Sequence, residues 1–337
     1  MSNRLKTLLL SLVAVFTLPL LLFGVLFLAT GGDYQVPGTV SADGSQPQVV
    51  LNGLGFHAET FGERKNPPLL VLHDGPGGDY HDLLALSRLA RRYYVIFFDQ
   101  RGSGLSARVP TSQLSIDAVL GDIEAFAGHY APGRRISLLG HGWGGMLATA
   151  FAGRHPERVE RLILAEPGFL NTAMANQVLP IMNQSSVGFL YQASVSWVRS
   201  LHIQGPDPDA RPDFVFAHLR QHPAYHCGHK IPPRAEEFTR RAGFQAWKAL
   251  TGSTLKPGGQ VALDFTKGIE HYQRPVLILA SSCNKLMGRS FQTRQARLFP
   301  KAGLVDIPAS GHEMFLDNPE ASVKAVEVFL ASGAVNR

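Results

Sequence analysis

Charge is scarce in this sequence: 17% of its 337 residues are Asp, Glu, Lys or Arg, against about a quarter in an average domain. Basic residues outnumber acidic ones 32 to 26, a net charge of +6, but no run gathers that surplus into a stripe. This excludes a nucleic-acid-binding surface and leaves a mildly basic soluble one. Cysteine is rarer still, with two residues, Cys227 and Cys283. No segment repeats at a fixed period, which excludes solenoids and propellers. The apolar share, 45%, is ordinary for a globular chain.

That apolar content is unevenly spread. Arg4 and Lys6 precede a run from Leu8 to Ala29 broken only by Ser11, Thr17, Pro19 and Gly24. As a helix this run spans roughly 33 Å, enough for a bilayer core. Residues 1–32 therefore read as an uncleaved N-terminal membrane helix. The alternative is a signal peptide, cut near Ala29 and Gly31, and then a secreted protein. The next basic residue after the run is Arg64, so the positive flank stays in the cytoplasm and the main domain lies outside it, periplasmic or extracellular. In such an oxidising compartment Cys227 and Cys283 are expected to form a disulfide.

Residues 33–47 are rich in Gly, Ser and Pro and read as a linker. From residue 48 to 333 short apolar strands alternate with amphipathic helices. Strands are expected at 49–51, 55–61, 69–72, 94–98, 136–139, 161–164, 276–280 and 304–307. Helices are expected at 83–92, 115–130, 146–154, 291–298 and 319–330. This rhythm predicts an α/β fold, a mostly parallel central sheet with helices on both faces. Between about 168 and 267 the rhythm breaks, which marks a helical cap inserted over the strand ends. Ligands of open parallel sheets bind at those C-terminal ends, so a small-molecule or peptide-like ligand is expected under the cap.

Four motifs occur in order: HDGPGG (73–78), DQRGSGLS (99–106), GHGWGG (140–145) and SGHEMF (310–315). Together they resemble the α/β-hydrolase fold superfamily, most closely its proline-iminopeptidase-like branch, over about residues 48–333. The resemblance implies a nucleophile on a strand-to-helix elbow, followed in the chain by an acid and a histidine. The elbow of such hydrolases reads G-x-S-x-G. Here it reads Gly140-His141-Gly142-Trp143-Gly144, so Gly142 stands at the nucleophile position with no hydroxyl. His312 matches the base. The usual acid position carries Asn284, an amide, whereas Glu166, at the end of the strand after the elbow helix, is the better acid candidate. The backbone N–H groups of Gly75 and Trp143 match the oxyanion hole. Asp74 replaces a glycine beside them. Pointing inward it opposes a developing anion; pointing outward it is a turn residue.

The expected function is accordingly that of a membrane-anchored hydrolase-family protein, of the ester- or peptide-cleaving type, inactive or very weak as a serine hydrolase. Two alternatives stand beside it: a non-catalytic ligand- or partner-binding protein, and a hydrolase whose His312 and Glu166 activate water directly. Ser103 and Ser106 lie on another strand end and are poor substitutes for the nucleophile. Glu236 and Glu237, in the cap, read as a solvated helix face and not as a holder of a substrate amine. The stretch HLRQHPAYHCGHK brings together His218, His222, His226 and His229 with Cys227. Pro223 interrupts any helix that would align them, and the segment reads as a polar loop. No cofactor and no metal is expected.

Overall fold

A computed structural model describes residues 3–182, 187–219, 225–227, 240–254 and 264–333, with the side chains of the first helix described from Val15 onward. Eight strands form one sheet: β1 (Gln48–Leu51), β2 (Leu54–Phe61), β3 (Pro68–Leu72), β4 (Tyr94–Phe98), β5 (Ile136–His141), β6 (Val159–Ala165), β7 (Val276–Ser281) and β8 (Ala302–Ile307). Their spatial order is β1-β2-β4-β3-β5-β6-β7-β8. β1 and β2, and β2 and β4, pair antiparallel; every other neighbouring pair is parallel. The inner strands β3, β4, β5 and β7 are buried at every residue. Helices cover both faces there, which is why these strands read as unbroken apolar runs.

One core layer lies under α2 (Ile116–Tyr130) and α3 (Trp143–Arg154), where Phe56, Phe126, Leu147 and Phe151 meet. The other lies under the segment His81–Arg91 and the helix Pro319–Ser332, around Leu83, Leu86, Phe315 and Phe329. His81–Arg91 is a 3-10 helix rather than the α-helix expected at 83–92. Its buried Leu83, Leu86 and Leu89 recur every three residues, the spacing that stacks side chains along one edge of a three-residue turn.

Between β6 and β7 lie α4 (Thr172–Met182), α5 (Val187–Ser200), α6 (Ala210–Leu219) and α7 (Phe244–Thr254). Four helices thus stand between these two neighbouring strands. The segment read as a linker is packed in place: Val40 is buried, its N–H bonds Leu105 O at 2.8 Å, and Arg241 donates to Pro37 O at 2.9 Å. The Tyr34 ring meets Phe214 of α6 edge-on at 5.5 Å. The first helix, α1 (Asn3–Ala29), packs on α5 through Phe23 and Trp197. Among the described residues no helix is long and apolar enough to cross a membrane. The membrane-helix expectation rests partly on residues 1–14, whose side chains lie outside the described ones.

Candidate active site

β5 ends at His141, and α3 begins at Trp143. Gly142 between them makes the corner, with φ 49° and ψ −112°. A side chain is strained in that region, and glycine is not. The corner is tied to the next strand, since Gly142 N donates to Ala165 O at 3.0 Å. It is also crowded. A Cβ on Gly142 would lie 2.0 Å from Asp74 Oδ1. The volume a nucleophile side chain would enter is filled by the Asp74 carboxylate.

Asp74 follows β3, and its turn is held from outside. Gln100 N donates to His73 Nε2 at 2.9 Å, so the His73 proton resides on Nδ1, which donates to Asp74 O at 2.6 Å. The Gln100 side chain accepts from Trp143 Nε1 at 3.1 Å and donates to His73 O at 2.9 Å. This locks the turn after β3 against the first turn of α3. The Asp74 carboxylate points inward, and Oδ1 accepts the Trp143 backbone N–H at 2.6 Å. One of the two N–H groups matched to an oxyanion hole therefore already holds an anion. The turn closes tightly at Gly75, where a Cβ would lie 2.7 Å from Gly77 N and 3.7 Å from the Trp143 indole.

Glu166 ends the run after β6 with φ 39°, rare for a residue other than glycine. Its carboxylate is fully buried and fixed on all sides. Oε1 accepts from Ser281 N at 2.8 Å and from Ser281 Oγ; Oε2 accepts from Asn284 Nδ2 at 2.8 Å and meets His312 Nδ1 at 2.9 Å. Asn284 thus orients the carboxylate that contacts the histidine, while its own Oδ1 accepts from Leu286 N and Met287 N. His312 Nε2 points the other way, to Asp74 Oδ2 at 3.3 Å. Burial opposes a charge on His312, but Asp74 and Glu166 outweigh it, and the imidazole is held well above its usual range. The three side chains form one line, Glu166–His312–Asp74. Asp74 is the most open member, with 20% of its side chain exposed against 6% for His312.

Tyr225 carries no motif and the sequence gives no signal of it, yet its carbonyl accepts His312 N at 2.8 Å and its ring lies 5.0 Å from the imidazole. Burial and the neighbouring Asp74 charge push its phenol up. Two residues on, Cys227 is bonded to Cys283, with Cα atoms 4.9 Å apart. Ser103 and Ser106 are buried in the turn after β4, a different strand end from Gly142, where Ser106 Oγ donates to Asp99 O at 2.6 Å. Glu236, Glu237, His222 and His229 lie outside the described residues.

The alpha/beta hydrolase fold model matches residues 67–319 of the sequence. The chain belongs to the alpha/beta hydrolase fold family. A proline iminopeptidase of Xylella fastidiosa is 28% identical over 205 residues, 59% of this chain and 58% of that protein. The alignment thus spans little more than half of that relative. Another, from Pestalotiopsis fici, is 23% identical over 292 residues, 84% of this chain and 98% of its own. The crystal structure of a proline iminopeptidase-related protein from Thermus thermophilus superposes with a TM-score of 0.59 at 23% identity, covering 84% of this chain and 96% of that one. As an alpha/beta hydrolase similar to proline iminopeptidases, the chain keeps the strand-corner-helix frame and sets Asp74 within it.

Proposed function

We propose that this chain is a membrane-tethered α/β-hydrolase that does not perform serine-type acyl transfer, and that its reaction centre is Asp74, His312 and Glu166. One observation carries the reading: the Asp74 carboxylate sits between the Trp143 N–H and His312 Nε2. A nucleophile needs that place, within reach of a donor for developing charge and of a base held by a third group. Gly142 supplies no hydroxyl there.

The occupied Trp143 N–H weakens the case for esters and peptides, whose carbonyl oxygen would need that donor. It suits a carboxylate that attacks saturated carbon. Asp74 Oδ2 forms the new C–O bond, and the leaving group departs with the electron pair of the bond it breaks. Oδ1 stays on Trp143. The resulting Asp74 ester is uncharged, so His312 loses one of the two carboxylates that hold its proton. With that proton released to solvent, His312 takes one from water. The hydroxide adds to the Asp74 carbonyl carbon and Trp143 N–H holds the oxyanion; collapse expels the alkoxide, which takes the proton of the added hydroxyl, freeing the alcohol and the Asp74 carboxylate with His312 again protonated. Glu166 fixes the imidazole throughout. The sum is RX plus water giving ROH plus HX.

The same occupied donor also favours a second reading, a non-catalytic binding protein whose anion site is filled by its own chain. A panel of activated esters, aminoacyl arylamides, alkyl halides and epoxides separates the two. The first reading expects turnover of alkyl substrates by the native chain and none by Asp74→Asn. It also expects an alkyl adduct on Asp74 to accumulate in His312→Ala, read by peptide mass spectrometry. Ester turnover that survives Asp74→Asn and is lost in His312→Ala would instead support direct water activation. Silence on the whole panel with no adduct leaves the binding reading.

The tether is supported by α1, where Val15, Phe16, Leu18, Leu20, Leu21 and Leu22 are all more than half exposed. An apolar face of that extent needs a cover. The full chain is expected in the membrane fraction after an alkaline carbonate wash, and a chain starting at residue 33 in the supernatant.

A further inference from the structure

Behind the reaction centre lies a second cluster that the proposed chemistry does not use. His141, the last residue of β5, is fully buried, and Asp82 of the 3-10 helix is 6% exposed. Glu313 directly follows His312. His141 Nε2 lies 2.9 Å from His312 O. A carbonyl only accepts, so Nε2 carries a proton and donates it. In the neutral ring Nδ1 is then a bare acceptor. It faces Asp82 Oδ2 at 3.4 Å. His141 Nδ1, Asp82 Oδ1 and Glu313 Oε2 are all buried, and none has a hydrogen bond of acceptable geometry. One donor atom from each of the three residues lies within 4.8 Å of the other two.

Three groups that can each accept converge out of water, and either protons shared among them or a cation must join them. We propose that Asp82, His141 and Glu313 form a site for a divalent transition metal, of the class that takes imidazole and carboxylate donors, such as Zn²⁺ or Mn²⁺. Bonds of about 2.0–2.2 Å to such an ion require the three donors to close in modestly from their present spacing. The backbone carbonyl on the far side of His141 fixes its tautomer and ring plane, as is usual for a metal-binding histidine. Glu313 is only partly buried, although its Oε2 is enclosed. The three residues come from three places: the 3-10 helix, the position before Gly142 and the position after His312. A bound ion would clamp the corner and the His312 loop together from behind.

The test uses the full chain in detergent, without a histidine tag. After equilibration with Zn²⁺ or Mn²⁺ and dialysis, elemental analysis is expected to find about one equivalent per chain, and the melting temperature is expected to rise with free metal. Co²⁺ loading is expected to give visible absorption bands of a nitrogen- and oxygen-ligated ion. Glu313→Gln and Asp82→Asn, each checked for native near-ultraviolet circular dichroism, are expected to weaken retention at least about tenfold. Glu313 is more exposed than Asp82, so its variant keeps the test decisive if the buried Asp82 variant does not fold. His222→Ala with His229→Ala is expected to leave retention unchanged. Absence of stoichiometric metal and of any stabilisation would overturn the proposal, and protons alone would then reconcile the three groups. Metal lost only in the His222 and His229 variant would overturn it too, and assign binding to the cap loop.

Discussion

A serine at Gly142 would bring its Cβ to 2.0 Å from Asp74 Oδ1, a distance no packing tolerates. It would also meet the unfavourable φ of 49°, a strain of about 1–3 kcal/mol. Gly142→Ser alone is therefore expected to destabilise the fold, or to expel Asp74 from its bond to Trp143. Asp74→Gly in the same chain is expected to restore most of that stability, as read from denaturant midpoints. The double variant vacates the Trp143 N–H and supplies a hydroxyl without having to displace a carboxylate, so ester turnover is expected to be higher there than in Gly142→Ser. Equal stability of the single and double variants would contradict the steric argument. Asp99 is a second residue with a measurable role. It is buried and contacts His57 Nδ1 at 2.8 Å, Leu105 N at 2.7 Å and Tyr80 N at 3.2 Å. Burial alone would push its carboxyl up, but the His57 contact and the other partners outweigh it and hold it below the usual range. A carboxylate lowered on folding contributes stability above its unfolded value of about 3.9, and loses it as pH falls through the folded value. Asp99→Asn is expected to be less stable at pH 7 by about 3 kcal/mol, and to show a shallower loss of stability below about pH 4. Parallel acid-unfolding curves would refute this.

α3 shows how an element carries the site. All of its residues from Trp143 to Gly153 are buried, so it runs through the protein with no solvated face. Its start comes close to β3: a Cβ on Gly144 would lie 2.2 Å from Leu72 O. That approach brings the Trp143 N–H to the end of β3, where Asp74 can reach it. Phe151 anchors the far end of the helix in the core with no exposed surface. Phe151→Ala is expected to cost about 3–5 kcal/mol, measured by urea denaturation. α6 and α7 are joined in another way. Asp213 Oδ2 accepts from Arg108 at 2.7 Å and Arg241 at 2.9 Å, and Oδ1 accepts from Phe244 N at 2.8 Å. Arg241 also pairs with Asp207. One buried carboxylate thus binds the loop after β4, the cap helix α6 and the start of α7.

For the whole molecule, the Cys227–Cys283 bond closes a separation of 56 residues between the cap and the loop after β7. The chain-entropy account puts such a cross-link at roughly 4 kcal/mol. Its position matters as much as its size. Cys283 N donates to Ser310 O at 2.9 Å, and Tyr225, two residues before Cys227, receives the His312 N–H. Reduction is expected to lower the melting temperature and to speed proteolytic cleavage within the cap. His312 is expected to become less well held before the sheet unfolds, and under the proposed reaction turnover falls with it. Identical protease maps with and without reductant would show that the cap is held by its other contacts.

The strands of this protein are legible in its sequence. Runs such as Leu69–Leu72 and Val276–Ala280 are apolar at every residue because helices cover both faces of a parallel sheet, and the corner after the first, His73–Gly78, is rich in glycine. The alternation of strand and helix and the pairing of the only two cysteines follow from pattern and count. The corner at Gly142, with a histidine and an acid further along, is legible as well. Tertiary structure alone decided which way Asp74 points. It also set Glu166 against His312, with Asn284 supporting Glu166 from the side, and it packed residues 34–40 onto the cap. Asp74 and His312 are 238 residues apart, and they meet only because β3 pairs with β5 while β6, β7 and β8 extend the sheet beyond. Local preference determines which segments become strands and where they turn. The direction of a carboxylate at a strand end depends on the backbone N–H groups and the imidazole that distant segments bring to it.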